Sequence, residues 1–144
     1  MLSVVVHARE EDASGSHAAL SEPEVQAFFS LLFVAGSETT RNSIAGGLLA
    51  LLAHRDQLEL LQRDAGALPG AVEEILRWTS ATAYNRRTAT RDVLLGGQKI
   101  RAGEKVVLWY NSGNRDEAAF PDPYRFDVTR TPNEHVGFGG PGLR

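Results

Sequence analysis

Long apolar stretches dominate the first half of the chain. Ser21 and Glu24 form a capping box, and Pro23 suits a first helical turn, so a helix is predicted to begin here. It continues through VQAFFSLLFVAG and NSIAGGLLALLAH, about 30 residues or 45 Å at 1.5 Å per residue. Because apolar side chains lie on most of its faces, the pattern predicts a helix buried in the centre of a domain.

Shorter elements follow this helix. A second helix is predicted from Asp56 to Asp64, and a third after Leu68 with AVEEILRW as its body. Alternating residues then predict strands in NRRTATRDVLLGGQKI, around the Gly96–Gly97 turn, and in KVVLWY. The fold class is therefore mainly α with a small β region.

The remaining segments are rich in polar and turn-forming residues. REEDASGSHAA, residues 9–19, is predicted to be a surface loop. Residues 111–144 are dominated by Asn, Asp, Pro and Gly, and we expect them to be irregular apart from one short helix near Asp116 to Phe120.

Composition narrows the class of protein. With 144 residues, 42% of them hydrophobic, the chain is long enough for one compact domain. A net charge of −3 and scattered arginines argue against a nucleic-acid partner. The chain has no cysteine, which excludes disulfides and thiolate ligands among these residues.

The location of the protein is predicted from the same composition. The first residues lack a basic region followed by an apolar core and a small-residue cleavage site, so no secretory signal is predicted from them. Val25 to Ala53 is the candidate membrane span, but Glu38, Arg41 and Asn42 lie within it, and inserting Arg alone costs about 2.5–3.5 kcal/mol. We expect a soluble, cytoplasmic chain without a membrane span.

The stretch AGSETT, Ala35 to Thr40, is unusual for a buried helix because Gly36 and two threonines lower helix propensity. The Thr39 hydroxyl can bond back to the Ala35 carbonyl and bend the helix locally. Glu38 beside Thr39 would then place a carboxyl and a hydroxyl next to an opening, as a short proton relay requires. The alternative is a packed kink with Glu38 in an ordinary ion pair.

The stretch EEILR places Glu74 and Arg77 on one face of a helix. On a surface such a pair has little significance, whereas a buried pair needs further partners to offset its desolvation. Arg130 and Arg125 are candidates to complete a buried network.

Further polar residues have open interpretations. Arg86 and Arg87 precede a strand and could bind a carboxylate bidentately, although surface charge is the simpler interpretation. The histidines lack metal-ligand spacing, so no metal site is predicted, and His7, His17 and His54 are expected at the surface.

The last ten residues, HVGFGGPGLR, fit the nucleotide-binding pattern G-x-G-x-x-G at Gly137, Gly139 and Gly142. That fingerprint requires a preceding strand and a following helix. RTPNEH before the loop contains a proline and turn-forming residues, which disfavours the nucleotide interpretation.

Taken in order, AGSETT, EEILR, FPDPYRFDVTR and HVGFGGPGLR resemble the cytochromes P450, the haem-thiolate monooxygenases. The resemblance covers the chain from about Leu20 onwards, and LSVVVHARE looks like the end of the preceding helix in bacterial members. It implies that residues 1–144 form a single partial domain. This domain would be a partial P450 fold with the long central helix, the E-x-x-R helix, the β-hairpin region and the start of the haem loop.

The resemblance also implies roles for individual residues. Glu38 and Thr39 match the catalytic acid–alcohol pair that delivers protons during oxygen activation, and Ala35 and Gly36 match residues bordering the oxygen pocket. Glu74 and Arg77 match the structural E-x-x-R pair, with Arg130 as the third member and Arg125 as the runner-up. Haem contacts are implied for Arg87, His135, Phe138, Gly139 and Arg144, the arginines and His135 facing propionates.

In the family the glycine loop leads to the cysteine that ligates the iron. We expect that cysteine shortly beyond Arg144, so the chain would be a fragment lacking both the N-terminal part and the axial ligand. The full-length enzyme that the resemblance implies uses O₂ and an apolar substrate of the lipid or sterol type. It receives electrons from a ferredoxin-type partner. Phe29, Phe33, Val34 and Ala81 to Tyr84 are candidate pocket-lining residues. The alternative is an inactive remnant that binds no haem through a thiolate.

Overall fold

The computed structural model describes residues 9–11 and 17–139. The chain divides into two compact units, Met1–Thr39 and Thr40–Arg144. The described residues are mainly helical with a small antiparallel β component, as the sequence predicted. Within these residues, no helix is both long and apolar enough to cross a membrane.

Two short strands precede the first helix among the described residues of the first unit. Strand β1 (Arg9–Glu11) pairs antiparallel with β2 (His17–Ala19). The surface loop predicted for residues 9–19 is therefore wrong at both ends, because backbone pairing here overrides the polar, turn-forming composition. The helix end predicted in LSVVVHARE lies mostly outside the described residues, and its last two residues belong to β1.

Helix α1 (Glu22–Ala53) follows the predicted capping residues. The Ser21 N–H donates to Glu24 Oε2 over 2.8 Å and its hydroxyl donates to the same oxygen over 2.6 Å. The hydroxyl bond, followed by the backbone bond, lowers the pKa of the Glu24 carboxyl. The cap predicted from the sequence thus fixes where this 32-residue helix begins.

The predicted burial of helix α1 is wrong for most of its length. Large apolar side chains are exposed in its N-terminal half, at Phe28, Phe29, Leu31, Leu32, Phe33 and Val34, and in its C-terminal half, at Ile44, Leu48, Leu49 and Leu52. A helix that is apolar on most faces needs a covering layer on each to be buried. Gly47 and Ala50, nearer the C-terminal end, are buried.

The second unit packs two further helices against the end of α1. Helix α2 (Arg55–Arg63) and a 3₁₀ turn (Ala65–Ala67) lead to helix α3 (Leu68–Thr79), close to the predicted bounds. The core contains Ala50, Ala71, Phe126 and Val128, with Trp78 packed against it. Irregular backbone from residues 126–128 thereby completes a core that the helices begin.

The strands form separate two-stranded antiparallel sheets. Strand β3 (Tyr84–Thr88) pairs with β6 (Lys105–Trp109), and β4 (Val93–Leu95) pairs with β5 (Gln98–Ile100). The β4–β5 turn is the predicted Gly96–Gly97, whose φ angles of 56° and 80° favour glycine.

Helix α4 (Tyr110–Gly113) follows β6 directly. The short helix predicted near Asp116 to Phe120 is wrong, because these residues form turns. The Asp116 carboxylate accepts the Ala118 N–H over 2.9 Å, a local bond that competes with helical pairing. Pro121 then disfavours a helical conformation at Phe120.

Candidate functional site

Glu74 and Arg77 form a fully buried ion pair on helix α3. Arg77 Nε lies 2.7 Å from Glu74 Oε2 and Arg77 Nη2 lies 2.8 Å from Glu74 Oε1, and both side chains are 0% exposed. The E-x-x-R spacing on α3 places them one turn apart on the face toward the core. This bidentate geometry is the favourable one for an arginine and a carboxylate.

Further donors satisfy the Glu74 carboxylate. Arg130 Nε lies 3.2 Å from Oε2, the Asp127 N–H donates to Oε1 over 2.9 Å, and Asn133 Nδ2 donates to Oε2 over 3.2 Å. The structure thus brings Glu74, Arg77 and Arg130 together. A buried pair with this many partners can offset its desolvation.

Arg130 also links the surrounding loop. Its guanidinium donates to the carbonyls of Pro121, Asp122 and Arg125. The runner-up Arg125 contributes its backbone carbonyl to this arrangement, whereas its guanidinium lies 3.8 Å from Asp127. Arg130 rather than Arg125 therefore supplies the third charge of the network.

Arg77 extends the network toward the end of the described chain. Its Nη1 donates to the carbonyl of Asn114 over 2.7 Å and to that of Pro123 over 2.9 Å. The buried Asn114 side chain then accepts the Val136 N–H over 2.8 Å and donates to Ser80 Oγ over 2.8 Å. Asn114 was not predicted from the sequence, since an Asn in a turn-rich segment has no periodicity that would single it out.

His135 begins the glycine-containing loop and is buried. Its Nε2 lies 2.8 Å from Glu73 Oε2, and its Nδ1 accepts the Gly137 N–H over 3.1 Å. Glu73 is another residue that sequence reasoning missed, because its neighbour Glu74 accounts for the motif. Both ring nitrogens of His135 are thus bonded within this unit.

The loop then turns at Gly139, where φ is 95°. The Gly139 N–H donates to the Val136 carbonyl over 2.9 Å. The Phe138 side chain between them is exposed, with its ring centroid 6.1 Å from that of His135. Arg144 lies outside the described residues.

Arg115 covers the outer side of this network. Its Nη2 donates to the Trp78 carbonyl over 2.8 Å, and its Cζ lies 5.1 Å from the Trp78 ring centroid. Burial lowers the pKa of the Arg115 guanidinium, and the positive charge of Arg77 adds to the effect. The guanidinium groups of Arg77 and Arg115 both lie near the Trp78 indole ring.

Arg87 lies on strand β3 opposite Val106 of β6. Its side chain is exposed and its Nη1 donates to the Arg86 carbonyl over 3.2 Å. Asn85, two residues earlier and hence on the same face, donates to the Tyr110 hydroxyl over 2.9 Å.

Ala35 to Thr39 of the AGSETT stretch belong to the first unit, and Thr40 is the first residue of the second. Thr39 Oγ1 donates to the Ala35 carbonyl over 2.6 Å, which confirms the predicted back-bond, and helix α1 continues through it. A Cβ added at Gly36 would meet nothing within 4 Å. Glu38 lies on the same turn of α1 as Thr39.

One histidine is placed differently from the prediction. His54 is half-buried rather than at the surface, with its ring 5.3 Å from Phe126 and 5.7 Å from Trp78. His7 and the side chain of His17 lie outside what the structure describes. Among the described residues, no cluster of three His, Cys, Asp or Glu could hold a metal ion.

Comparison with known proteins identifies the family of this chain. A protein-family model, described as Cytochrome P450, matches residues 1–139. The chain belongs to the cytochrome P450 family. It is 57% identical over 139 residues to cytochrome P450 126 of Mycobacterium tuberculosis, covering 96% of this chain and 33% of that protein. The methyl-branched lipid omega-hydroxylase of the same species is 54% identical over 124 residues, which cover 85% of this chain and 29% of that enzyme.

A solved structure agrees with this P450 assignment. Mycobacterium marinum cytochrome P450 CYP268A2 in complex with pseudoionone gives a TM-score of 0.82 at 48% identity, covering 96% of this chain and 33% of that one. This P450 chain spans about a third of the length of the curated relatives it matches.

P450s use haem, and several of the described residues fit that group. Gly139 has a φ that favours glycine, and a Cβ at Gly137 would lie 3.0 Å from His135 Nδ1, so this loop has a close-packed backbone. The exposed guanidinium of Arg87 fits a propionate. His135 has both ring nitrogens bonded, so its propionate contact stays a prediction that would require Glu73 to be displaced.

Proposed function

We propose that this chain is the part of a haem-dependent monooxygenase that holds the haem on one side and handles protons on helix α1. The buried network of Glu74, Arg77 and Arg130 carries the proposal. Through Asn114 it reaches Val136 and fixes the backbone that leads into Gly137–Gly139. Bound haem would supply the activation of O₂, so that one oxygen atom enters a C–H bond of the substrate and the other leaves as water, with two electrons from the donor and two protons.

The chain's own residues have distinct roles in this proposal. Arg87 binds a propionate, and Phe138, Gly139 and Arg144 contact the haem. Ala35 and Gly36 leave space for O₂, while Glu38 and Thr39 hold and transfer protons. The short back-bond from Thr39 to the Ala35 carbonyl supports this role because it sets the orientation of the hydroxyl.

The proposed substrate is an apolar lipid or sterol. Relatives named methyl-branched lipid omega-hydroxylase and steroid C26-monooxygenase support this class, the latter at 47% identity over 120 residues. Exposed apolar side chains at Phe29, Phe33 and Val34 would suit such a ligand. A ferredoxin-type electron donor and a cytoplasmic location are part of the same proposal.

A chimeric enzyme tests the function. The segment of this chain that aligns over 124 residues would replace its counterpart in the lipid omega-hydroxylase, and we name this enzyme the hydroxylase chimera. We expect it to give the carbon-monoxide spectrum of a haem thiolate and to hydroxylate a methyl-branched lipid. Thr39→Ala should lower the ratio of product to O₂ consumed, whereas Thr40→Ala, the exposed neighbour, should not. A chimera that binds haem but forms no product would contradict the proposal.

A second candidate concerns the 144 residues by themselves. They contain no cysteine, so we propose that they form no haem-thiolate complex on their own. Reconstitution of this chain with haem, followed by a reduced carbon-monoxide difference spectrum, tests this. A thiolate-type Soret band would overturn it.

A further inference from the structure

His135 is held between two partners that determine which of its nitrogens carries the proton. A backbone N–H can only donate, so the Gly137 N–H, 3.1 Å from Nδ1, requires a lone pair on that atom. The proton of a neutral ring then lies on Nε2, which donates to Glu73 Oε2 over 2.8 Å. The opposite tautomer would direct two N–H groups at each other in a buried site.

We propose that Glu73 is a positioning residue that holds His135 in the Nε2–H tautomer and thereby keeps Nδ1 as the acceptor for Gly137. A carboxylate accepts hydrogen bonds but cannot donate when ionised, so it selects the ring nitrogen that bears hydrogen. The two adjacent glutamates of EEILR therefore contact different partners. Glu74 faces the buried arginines, and Glu73 faces the loop.

The packing at Gly137 makes this choice of tautomer matter to the backbone. A Cβ at this position would lie 3.0 Å from His135 Nδ1 and 3.3 Å from Cε1, so the backbone at Gly137 packs closely against the imidazole. The same loop is held by the Asn114 bond to Val136 and by the turn at Gly139. The importance of this loop for haem rests on the proposed function, whereas the tautomer does not.

Nitrogen NMR of the chain labelled at histidine and glycine tests the proposal without haem. His54 provides an internal reference, because its Nδ1 lies 2.9 Å from the Ala50 carbonyl and must carry the proton. We expect Nε2–H at His135 and Nδ1–H at His54 in the same spectrum, at a pH above the ordinary histidine range. A failed hydroxylase chimera would leave this result unchanged.

Substitutions at Glu73 separate positioning from general stability. Glu73→Leu should give a mixture of both tautomers at His135. Hydrogen exchange of the Gly137 amide should become at least about fivefold faster, the factor expected for the loss of one ordinary hydrogen bond. Glu73→Gln keeps an acceptor oxygen and should restore both signals. Glu59→Leu is the matched control, since the Glu59 and Glu73 side chains are 58% and 56% exposed and Glu59 pairs with Arg63 instead.

The outcomes are decisive in either direction. An Nδ1–H tautomer at His135 in the unsubstituted chain would overturn the proposal whatever the variants do. Unchanged tautomer and amide exchange in Glu73→Leu would overturn it as well. A shift at His135 and Gly137 in Glu73→Leu but not in Glu59→Leu, with His54 unchanged, supports it.

Discussion

Arg77 Nη1 lies 2.7 Å from the backbone carbonyl oxygen of Asn114, 37 residues later in the chain. The contact joins helix α3 to the residue that follows helix α4. Because Arg77 Nη1 also donates to the Pro123 carbonyl, one buried side chain holds helix α3 to two later parts of the chain.

Removing either partner of the buried pair should strongly destabilise the second unit. Arg77→Leu or Glu74→Leu is expected to lower the free energy of unfolding by about 3–5 kcal/mol, because the remaining charge stays buried without its partner. Urea unfolding measures this. Arg63→Leu, which breaks the exposed Arg63–Glu59 pair, is the control and should have little effect. Equal losses in the buried and exposed variants would contradict the prediction.

Asn114→Ala should weaken the start of the loop. It leaves the Val136 N–H without its acceptor and Ser80 Oγ without its donor, so we expect a loss of about 1–3 kcal/mol. Hydrogen exchange of the Val136 amide should become faster as well. Asn111→Ala, at an exposed position of helix α4, should change neither quantity. Normal protection of Val136 in Asn114→Ala would be evidence against the link.

The same substitution at two glycines of helix α1 should have opposite effects. Gly36→Ala adds a Cβ that meets nothing within 4 Å, so it should raise the stability by up to about 1 kcal/mol through helix propensity. Gly47→Ala places a Cβ 2.7 Å from Ile75 Cγ2, and overpacking should lower stability by about 1–3 kcal/mol. Thermal unfolding compares the pair. Stabilisation by both would show that α1 and α3 pack less closely than described.

Asp127 should contribute to acid unfolding. Burial raises the pKa of its carboxyl, but the hydrogen bonds from Thr129 and the charges of Arg125 and Arg130 outweigh this, so the pKa is lowered overall. Because the pKa of this carboxyl is lower in the folded state, the carboxylate stabilises the folded chain at pH values above the ordinary Asp pKa of about 3.9. This stabilisation is lost as the pH falls through the pKa of the folded state. Asp127→Asn should therefore flatten the stability profile in this acid range, measured by urea unfolding at several pH values. Thr129→Val should flatten it in part, and an unchanged profile in both variants would exclude the contribution.

Arg87 and Arg86 provide a matched test of haem binding in the hydroxylase chimera. The side chains point to opposite faces of strand β3. Arg87→Gln should weaken haem affinity about tenfold by removing a charged hydrogen bond, whereas Arg86→Gln should leave it nearly unchanged. Haem transfer to apomyoglobin measures the difference. A greater loss in Arg86→Gln would assign the propionate contact to the other face.

Local signals in the sequence were sufficient for most elements. The Ser21–Glu24 cap predicted the start of α1, and Gly96–Gly97 predicted the β4–β5 turn, because each depends on residues only a few positions apart. Reliance on nearby residues also explains two predictions that were wrong. Nothing within residues 9–19 indicates that β1 and β2 pair, and the turn at Asp116 depends on a side-chain bond that competes with a helix.

The sequence by itself determined the order and spacing of the P450 motifs, and with them the family and the pairing of Glu74 with Arg77 on one helical face. Only the tertiary structure decided what that pair holds. The sequence offered both Arg130 and Arg125 as a third charge, and the fold places Arg130 against Glu74. Asn114 and the Glu73–His135 contact come from segments separated along the chain, and helix periodicity contains no information about them. Burial of Arg77 requires its own partners, Glu74 and the Asn114 carbonyl, because a desolvated charge must be compensated by groups that only the folded chain brings near it.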